Sequence, residues 1–317
     1  MEVIFLKIIS TMSLKPEQLD QAKAVRSDLN IEVKKQFTEC DAQVEGLLTY
    51  GWDVTEQTLE LYPNLKWIQA MAAGVDQLPL HAFASKGILL TNVRGAHSIQ
   101  MSEHVIWCIL NLLRQGKTVM YQQEQKVWSA KLKIDEMYGK TVCIVGAGTI
   151  GAAVAEKCHA FGMTVWGISQ SGKSHLGFDR VAKLEDSEAF LKESDIVVAL
   201  LPLTSQTKHF FNAERFNQMK DGVYFINVAR GSVVDEEALS EALQTGKVQG
   251  AALDVFVTEP LPETSPFWSM DQVFLTPHIA GRSPQYTQRM FEVFLKNIKE
   301  YPNTSAMINA INLENGY

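Results

Sequence analysis

Three observations predict an α/β protein with two domains, the larger built on a doubly wound parallel sheet. A chain of 317 residues, 46% of them hydrophobic, is long enough for two medium-sized cores. Short apolar runs alternate along it with segments of helical period, as strands joined by crossover helices do. The stretch Val142 to Gly151, VCIVGAGTIG, sets Gly146, Gly148 and Gly151 in G-x-G-x-x-G spacing directly after the apolar run Thr141 to Val145.

Taken in order, Val3 to Ile9 is expected to be a strand, and Pro16 to open a helix whose Leu19, Ala22, Val25 and Leu29 recur at helical spacing. Gly46 to Tyr50, Lys66 to Met71 and Ile88 to Asn92 read as further strands, with a short helix over Glu56 to Leu61. The first hundred residues thus make a small α/β unit of their own. From Ser98 to Arg114 the stripe Val105, Ile106, Ile109 and Leu112 predicts a long helix leading into the second domain. Residues 118 to 138 hold the polar run Tyr121 to Lys126, then Trp128 and Leu132 without a clean period, and read as an arm. After the glycine turn come strand Thr164 to Ile168, helix Leu184 to Lys192, strand Ile196 to Leu200 and helix Ala213 to Met219. Strand Gly222 to Asn227, helix Asp235 to Thr245 and strand Gly250 to Val255 complete the sheet. A last helix, Tyr286 to Tyr301, follows, and its expected place is against the N-terminal unit. The domains are then residues 1–97 with 285–317, and residues 98–284.

In the turn, Gly146 permits the tight bend, Gly148 lets a pyrophosphate approach the backbone, and Gly151 lets the following helix pack close to the strand. That helix carries Ile150, Val154, Cys158 and Phe161 at helical spacing, and its N-terminus faces the anion. A dinucleotide site is the expectation. NAD sites usually place an Asp or Glu at the end of the second strand, on the ribose hydroxyl. Here that strand runs into Ser169, Gln170, Ser171, Gly172 and Lys173, without a carboxylate. The acid that would repel a 2′-phosphate is missing, and two hydroxyls and an ammonium stand in its place. NADP(H) is therefore favoured, with use of NAD(H) as the alternative.

Acidic residues outnumber basic ones, 36 against 29, and no basic block stands out, so neither nucleic acid nor an anionic membrane is an expected partner. Cys40, Cys108, Cys143 and Cys158 show no C-x-x-C spacing, which points to a reducing compartment and to no metal site. The N-terminus lacks a basic segment and cleavage site, and the apolar runs, such as Ile196 to Leu201, are far short of a membrane span. The expected location is the cytoplasm.

Ligands of open α/β sheets bind beyond the carboxyl ends of the strands. There the strand Gly222 to Asn227 leads to Arg230, the strand Gly250 to Val255 carries Asp254 and leads to Glu259, and Val273 to Thr276 leads to His278. In the first unit, Ala73, Gly74 and Val75 follow a strand end where backbone N–H groups can form an anion-binding nest. Arg94 and His97 follow another strand end.

The segments VARGSVVDEEAL, ALDVFVTEPLP and SPFWSMDQVFLTPHIAG, with the glycine turn, closely resemble the D-isomer-specific 2-hydroxyacid dehydrogenases. AAGVD at Ala72 to Asp76, TNVRGAHSIQMSEHV at Thr91 to Val105 and LPLTSQT at Leu201 to Thr207 extend the likeness over essentially the whole chain. The resemblance implies a Rossmann-type cofactor domain, a smaller flavodoxin-like substrate domain and a homodimer formed through the arm around Trp128. It implies the catalytic set Arg230, Glu259 and His278: Arg230 grips the substrate's carboxylate and carbonyl oxygen, His278 exchanges the hydroxyl proton as hydride moves, and Glu259 favours and orients the imidazolium. It places Asp254 at the nicotinamide carboxamide and Ala73 to Val75 at the substrate. The cofactor would further meet Thr149, Ile150, Leu201, Pro202, Thr207, Val228, Ala229, His278 and Gly281. The reaction class is hydride transfer between NAD(P)(H) and a small 2-oxo or 2-hydroxy acid. 3-Phosphoglycerate is disfavoured, since IQAMAAGVDQ holds no Lys or Arg to meet a phosphate. A dinucleotide-sensing binding protein of the co-repressor type is the alternative, because the same fold serves that role.

Overall fold

Alternation of side chains across short parallel strands sorts the apolar residues into four layers, two on each of two sheets. The structure, a computed structural model, describes residues 5–75, 77–173 and 177–314. The chain divides into two compact units, Met1–Ala96 with Ser283–Tyr317, and His97–Arg282.

The first unit contains β1 (Leu6–Ser10), α1 (Pro16–Val25), β2 (Leu29–Val33), β3 (Val44–Thr49), α2 (Glu56–Leu61), β4 (Trp67–Ala70), α3 (Leu80–Lys86) and β5 (Leu89–Thr91). Its sheet runs β2-β1-β3-β4-β5, with all four strand pairings parallel among the described residues. That is the flavodoxin-like order. Ile8, Leu48 and Trp67 face one core, and their chain neighbours Ile9, Leu47 and Ile68 face the other. The C-terminal helix supplies Phe291, Phe294 and Ile298 to the first of these cores. It is tied down by Asn297, fully buried, whose amide donates to Gln69 Oε1 at 2.9 Å and accepts from the Ile308 N–H at 2.8 Å. The first helix is shorter than its apolar spacing suggests. It stops at Val25, Arg26 pairs with Asp28 at 2.9 Å, and Leu29 opens β2 opposite Leu6. Strand pairing buries Leu29 where another helical turn would not, so its helical spacing is a coincidence.

The second unit begins with α4 (Ser98–Leu113) and α5 (Gly116–Glu124), followed by β6 (Thr141–Val145), α6 (Thr149–Ala160), β7 (Thr164–Ser169) and β8 (Arg180–Lys183). It continues with α7 (Glu188–Glu193), β9 (Ile196–Ala199), α8 (Ala213–Gln218), β10 (Val223–Asn227), α9 (Glu236–Gln244), β11 (Val248–Leu253) and β12 (Val273–Leu275). The helix of the chain's return to the first unit is α10 (Tyr286–Glu300). The sheet order β12-β11-β10-β9-β6-β7-β8 is, counted from β6, the doubly wound order 3-2-1-4-5-6 with a seventh strand added. Its direction of winding reverses between β6 and β9, and the glycine turn leaves β6 there. Val142 and Ile144 pack with Val105, Ile109 and Val154 of α4 and α6, while Cys143 and Val145 pack on the opposite face with Phe225 and Leu253.

Two elements here were absent from the sequence reading. The polar run expected as an arm is largely helical, α5, and β8 is a four-residue edge strand flanked by charge. Beyond α5 the chain is irregular through residue 136, and Trp128 is 101% exposed.

Candidate active site

Two of the three glycines of the turn are required by a close neighbour, and the third borders open space. A Cβ on Gly146, at φ +118°, would lie 2.6 Å from the Leu200 carbonyl carbon, and one on Gly151 would lie 2.6 Å from the Gly146 oxygen. Gly148 faces open space instead. It is the N-cap of α6 and brings no side-chain cap, so the first N–H groups of that helix are left for an anion. Gly148 and Thr149 are exposed there and Ile150 is partly so. The cradle fits a pyrophosphate: open backbone, helix dipole and no side chain in the way.

At the end of β7, Ser169 Oγ accepts from the Gly172 N–H at 3.1 Å and Ser171 Oγ from the Lys173 N–H at 3.3 Å. Both hydroxyls keep their proton for a ligand. Gln170, Ser171 and Lys173 are exposed, and the Gln170 amide donates to Gln206 at 3.3 Å. Thr207 belongs to the loop itself. Its hydroxyl donates to the Pro202 carbonyl at 2.6 Å and accepts from the Thr204 N–H at 2.8 Å, so it shapes the loop and has little bonding capacity left for a cofactor. Leu201, Val228 and Ala229 turn their side chains into the cores and can offer a ligand only backbone, whereas Pro202 is exposed.

Arg230, Glu259 and His278 lie beyond the carboxyl ends of β10, β11 and β12, three adjacent strands of one sheet. Asn227, buried at the end of β10, holds the Arg230 segment: its side chain accepts from the Ala229 N–H at 3.1 Å and donates to the Arg230 carbonyl at 3.3 Å. Gly231 lets that segment lie against the next one, since a Cβ there would sit 1.9 Å from the Phe256 carbonyl carbon. Glu259 divides its carboxylate between structure and chemistry. Oε1 accepts from the Phe256 N–H at 2.9 Å, and Oε2 lies 2.7 Å from His278 Nδ1. An ionised carboxylate can only accept, which puts a proton on Nδ1 and leaves Nε2 as the nitrogen that can exchange one. His278 is half exposed and stands at φ +52°, in the left-handed region.

Asp254 is the first residue past β11 rather than part of it, and is 2% exposed. Its Oδ1 accepts from the Thr276 hydroxyl at 2.6 Å and the Ile279 N–H at 2.9 Å, and its Oδ2 from the Ala280 N–H at 2.9 Å. The His278 N–H donates to the Asp254 carbonyl at 2.8 Å. Asp254 therefore holds the loop that carries His278.

His97, to which sequence reasoning gave little weight, lies in the second unit beside this set. A Cβ on Gly281 would come within 3.0 Å of the His97 ring, and Gln100 donates to the Gly281 carbonyl at 3.1 Å. Arg94 and the Ala73–Val75 loop belong to the first unit. In that loop the carbonyls of Ala72, Ala73 and Val75 accept from Val93, Asn92 and Leu78, while the N–H groups of residues 73–75 donate to no carbonyl among the described residues. Asp76 lies outside the described residues.

Burial first, and then the Arg230 guanidinium, push the His97 imidazole down to about 4. A folded pKa below the unfolded one means that the unfolded chain binds the extra proton between roughly pH 6.5 and 4, so stability is lost as pH falls through that window. His97→Gln is expected to remove roughly 2–3 kcal/mol of the acid destabilisation between pH 7 and 4.5, read by denaturant unfolding of both proteins at the two pH values. Parallel losses in the two proteins would refute the assignment.

Residues 106–280 match the family model described as D-isomer specific 2-hydroxyacid dehydrogenase, NAD binding domain. The glyoxylate/hydroxypyruvate reductase B of Escherichia fergusonii is 33% identical over 278 residues, covering 86% of each chain. The structure is similar to a D-isomer specific 2-hydroxyacid dehydrogenase from Xanthobacter autotrophicus Py2 in complex with NADPH and MES, with a TM-score of 0.84, 30% identity and 99% of each chain covered. It is also similar to an NADPH-dependent glyoxylate/hydroxypyruvate reductase from Sinorhizobium meliloti in complex with NADP and sulfate, with a TM-score of 0.81, 28% identity, and 98% of this chain and 100% of that one covered. With the family model spanning more than half of the chain and a glycine cradle at the point where the sheet reverses, this protein belongs to the D-isomer specific 2-hydroxyacid dehydrogenases, nicotinamide-dependent oxidoreductases.

Proposed function

We propose that this protein reduces small 2-oxo acids to D-2-hydroxy acids, and runs the reverse oxidation, with Arg230, Glu259 and His278 as its catalytic residues and NADP(H) as its preferred coenzyme. The observation that carries the reading is the 2.7 Å contact between His278 Nδ1 and Glu259 Oε2, which holds the ring by one nitrogen and supports Nε2 as the one that exchanges a proton. A bound nicotinamide dinucleotide supplies or removes the hydride at the substrate's C2. His278 Nε2 then gives a proton to the carbonyl oxygen in reduction and takes it from the hydroxyl in oxidation. Glu259 steadies the imidazolium through both directions. Arg230 offers a planar fork of donors to a carboxylate and stabilises the oxygen on which charge develops. In the first unit, the N–H groups of Ala73, Gly74 and Val75 suit a carboxylate.

Gly146 to Gly151 would hold the pyrophosphate, with Asp254, Gly281 and the backbones of Val228 and Ala229 at the nicotinamide end. Ser169, Gln170, Ser171 and Lys173 would meet the 2′-phosphate. The relatives from E. fergusonii and S. meliloti are named for glyoxylate and hydroxypyruvate, so these two acids head the substrate panel, followed by pyruvate and bulkier 2-oxo acids. The exposed segment after α5, with Val127 52% and Trp128 101% exposed, supports a second copy of the chain as its cover, hence a homodimer.

Three outcomes are expected. His278→Gln loses roughly 10²–10⁴-fold in turnover of a good 2-oxo acid and keeps its coenzyme affinity. A loss under tenfold removes His278 from the mechanism, and no turnover of any 2-oxo acid by the wild type would favour a sensor. kcat/KM is higher with NADPH than with NADH, and Ser169→Asp reverses the order by setting a negative charge against the phosphate; a wild type that prefers NADH overturns the coenzyme assignment. Sedimentation at micromolar concentration gives a dimer, and a monomer rejects the role of the Trp128 segment.

A further inference from the structure

α4 carries a histidine that has no part in the proton exchange above, yet its ring reaches the base of the His278 loop. His104 is buried, and its Nε2 lies 3.3 Å from Thr276 Oγ1 and 3.8 Å from Asp254 Oδ1. The single hydroxyl proton of Thr276 is committed to Asp254 Oδ1, at 2.6 Å. Toward His104, Thr276 can therefore only accept, which assigns the proton to His104 Nε2. The result is a chain of hydrogen bonds running one way, from His104 Nε2–H to Thr276 Oγ1–H to the Asp254 carboxylate. That carboxylate receives the backbone N–H groups of Ile279 and Ala280 on the far side of His278. The loop is thus gripped before and after the residue that exchanges the proton.

Two features make such a grip necessary. His278 stands at φ +52°, in the left-handed region that disfavours a Cβ, so bonds on either side of it help to hold the loop. The strands on which the loop rests are in register, Leu253 opposite Leu275, so Asp254 and Thr276 leave the sheet side by side. The side chain that closes this pair from beneath comes from α4. The His104 ring is itself set edge-on against Trp107 at 5.3 Å, and Trp107 against Phe274 of β12 at 4.8 Å, so its position is fixed from the helix side and from the strand side.

We infer that His104 and Thr276 are positioning residues for the reaction, forming with Asp254 a buried latch that holds the His278 loop in its working conformation. The inference rests on the assignment of proton exchange to His278. It names two residues outside the catalytic set, one of them 174 positions upstream of His278 in the chain.

The test compares turnover of a 2-oxo acid by four variants. Thr276→Val removes the bridging hydroxyl, and Thr276→Ser keeps it. His104→Phe keeps a ring without the donor, and His104→Gln offers an N–H near the position of Nε2. The latch predicts that kcat falls about tenfold or more in Thr276→Val and severalfold in His104→Phe, with KM for coenzyme and substrate within about threefold of wild type. Ser and Gln are expected to restore most of the lost kcat. The double variant His104→Phe with Thr276→Val should be no slower than Thr276→Val alone, because the two act through one chain. Unchanged kcat in Thr276→Val and His104→Phe overturns the inference, as does an equal loss in the Ser and Gln variants, which would mean that packing and not the hydrogen bonds sets the rate. If Phe at 104 prevents folding, the Val and Ser pair at 276 decides alone. His278→Gln run beside them separates the two readings: if it turns over normally the proton-exchange assignment fails, and if it is inactive while the latch variants are not, only the latch fails.

Discussion

A buried carboxylate must be satisfied, and in the second unit that requirement organises the sheet edge that carries His278. Asp254 is 2% exposed, and what it receives is the loop from Thr276 to Ala280. An unpaired charge at such a site would cost several kcal/mol, so the loop cannot leave without a large penalty. The loop's shape follows from this: its two ends are fixed on one side chain, and His278 is pushed up between them. The parallel sheet beneath contributes the second half of the constraint. Adjacent strands of equal direction end on one edge, and β10, β11 and β12 therefore deliver Arg230, Glu259 and His278 to neighbouring positions without any one of them being close to another in sequence.

Much of this was legible in the residues, and what was not has identifiable causes. The glycine turn could be read because Gly146 and Gly151 leave no room for a Cβ, while Gly148 keeps the start of the helix open. Arg230, Glu259 and His278 could be placed because strand ends follow directly from apolar runs. Leu29 was misread as helical since a spacing of four after Val25 fits a helix, while the Arg26–Asp28 pair and the register with β1 that make it a strand are not visible in a local pattern. β8 escaped because an edge strand whose interior is only Val181 and Ala182 carries almost no apolar signal. α5 escaped for a similar reason: none of its residues is fully buried, so it shows no apolar stripe, and its Gln and Glu residues read equally well as a loop. The weight of His97 could be judged only with Gly281 and Arg230 in place, since nothing in the sequence brings those three together.

The site also separates rigid from accessible groups in a consistent way. Residues that set geometry are buried and hydrogen-bonded: Asn227 behind Arg230, Thr276 behind His278, Thr207 inside the loop after β9. Residues proposed to meet ligands keep a free donor or an exposed face: Gly148, Ser171, Lys173 and the half-exposed His278. Thr207 illustrates the distinction. A hydroxyl in a loop near a cofactor turn invites a binding role, but its proton is already spent on Pro202, and it shapes the backbone that others use.

Glu259 belongs to both groups, and its division explains why a glutamate rather than a smaller acid suits the position. One oxygen has to stay on the Phe256 N–H to keep the segment after β11 folded back, while the other has to reach His278 on the neighbouring segment. The segment before it is pressed so close by the Arg230 turn that Gly231 has no room for a Cβ against Phe256. The carboxylate is therefore anchored at a place where the backbone on both sides is already held. A fixed acceptor 2.7 Å from Nδ1 favours this orientation of the imidazole. Which nitrogen of the His278 ring is left open is thus decided by packing of three backbone segments.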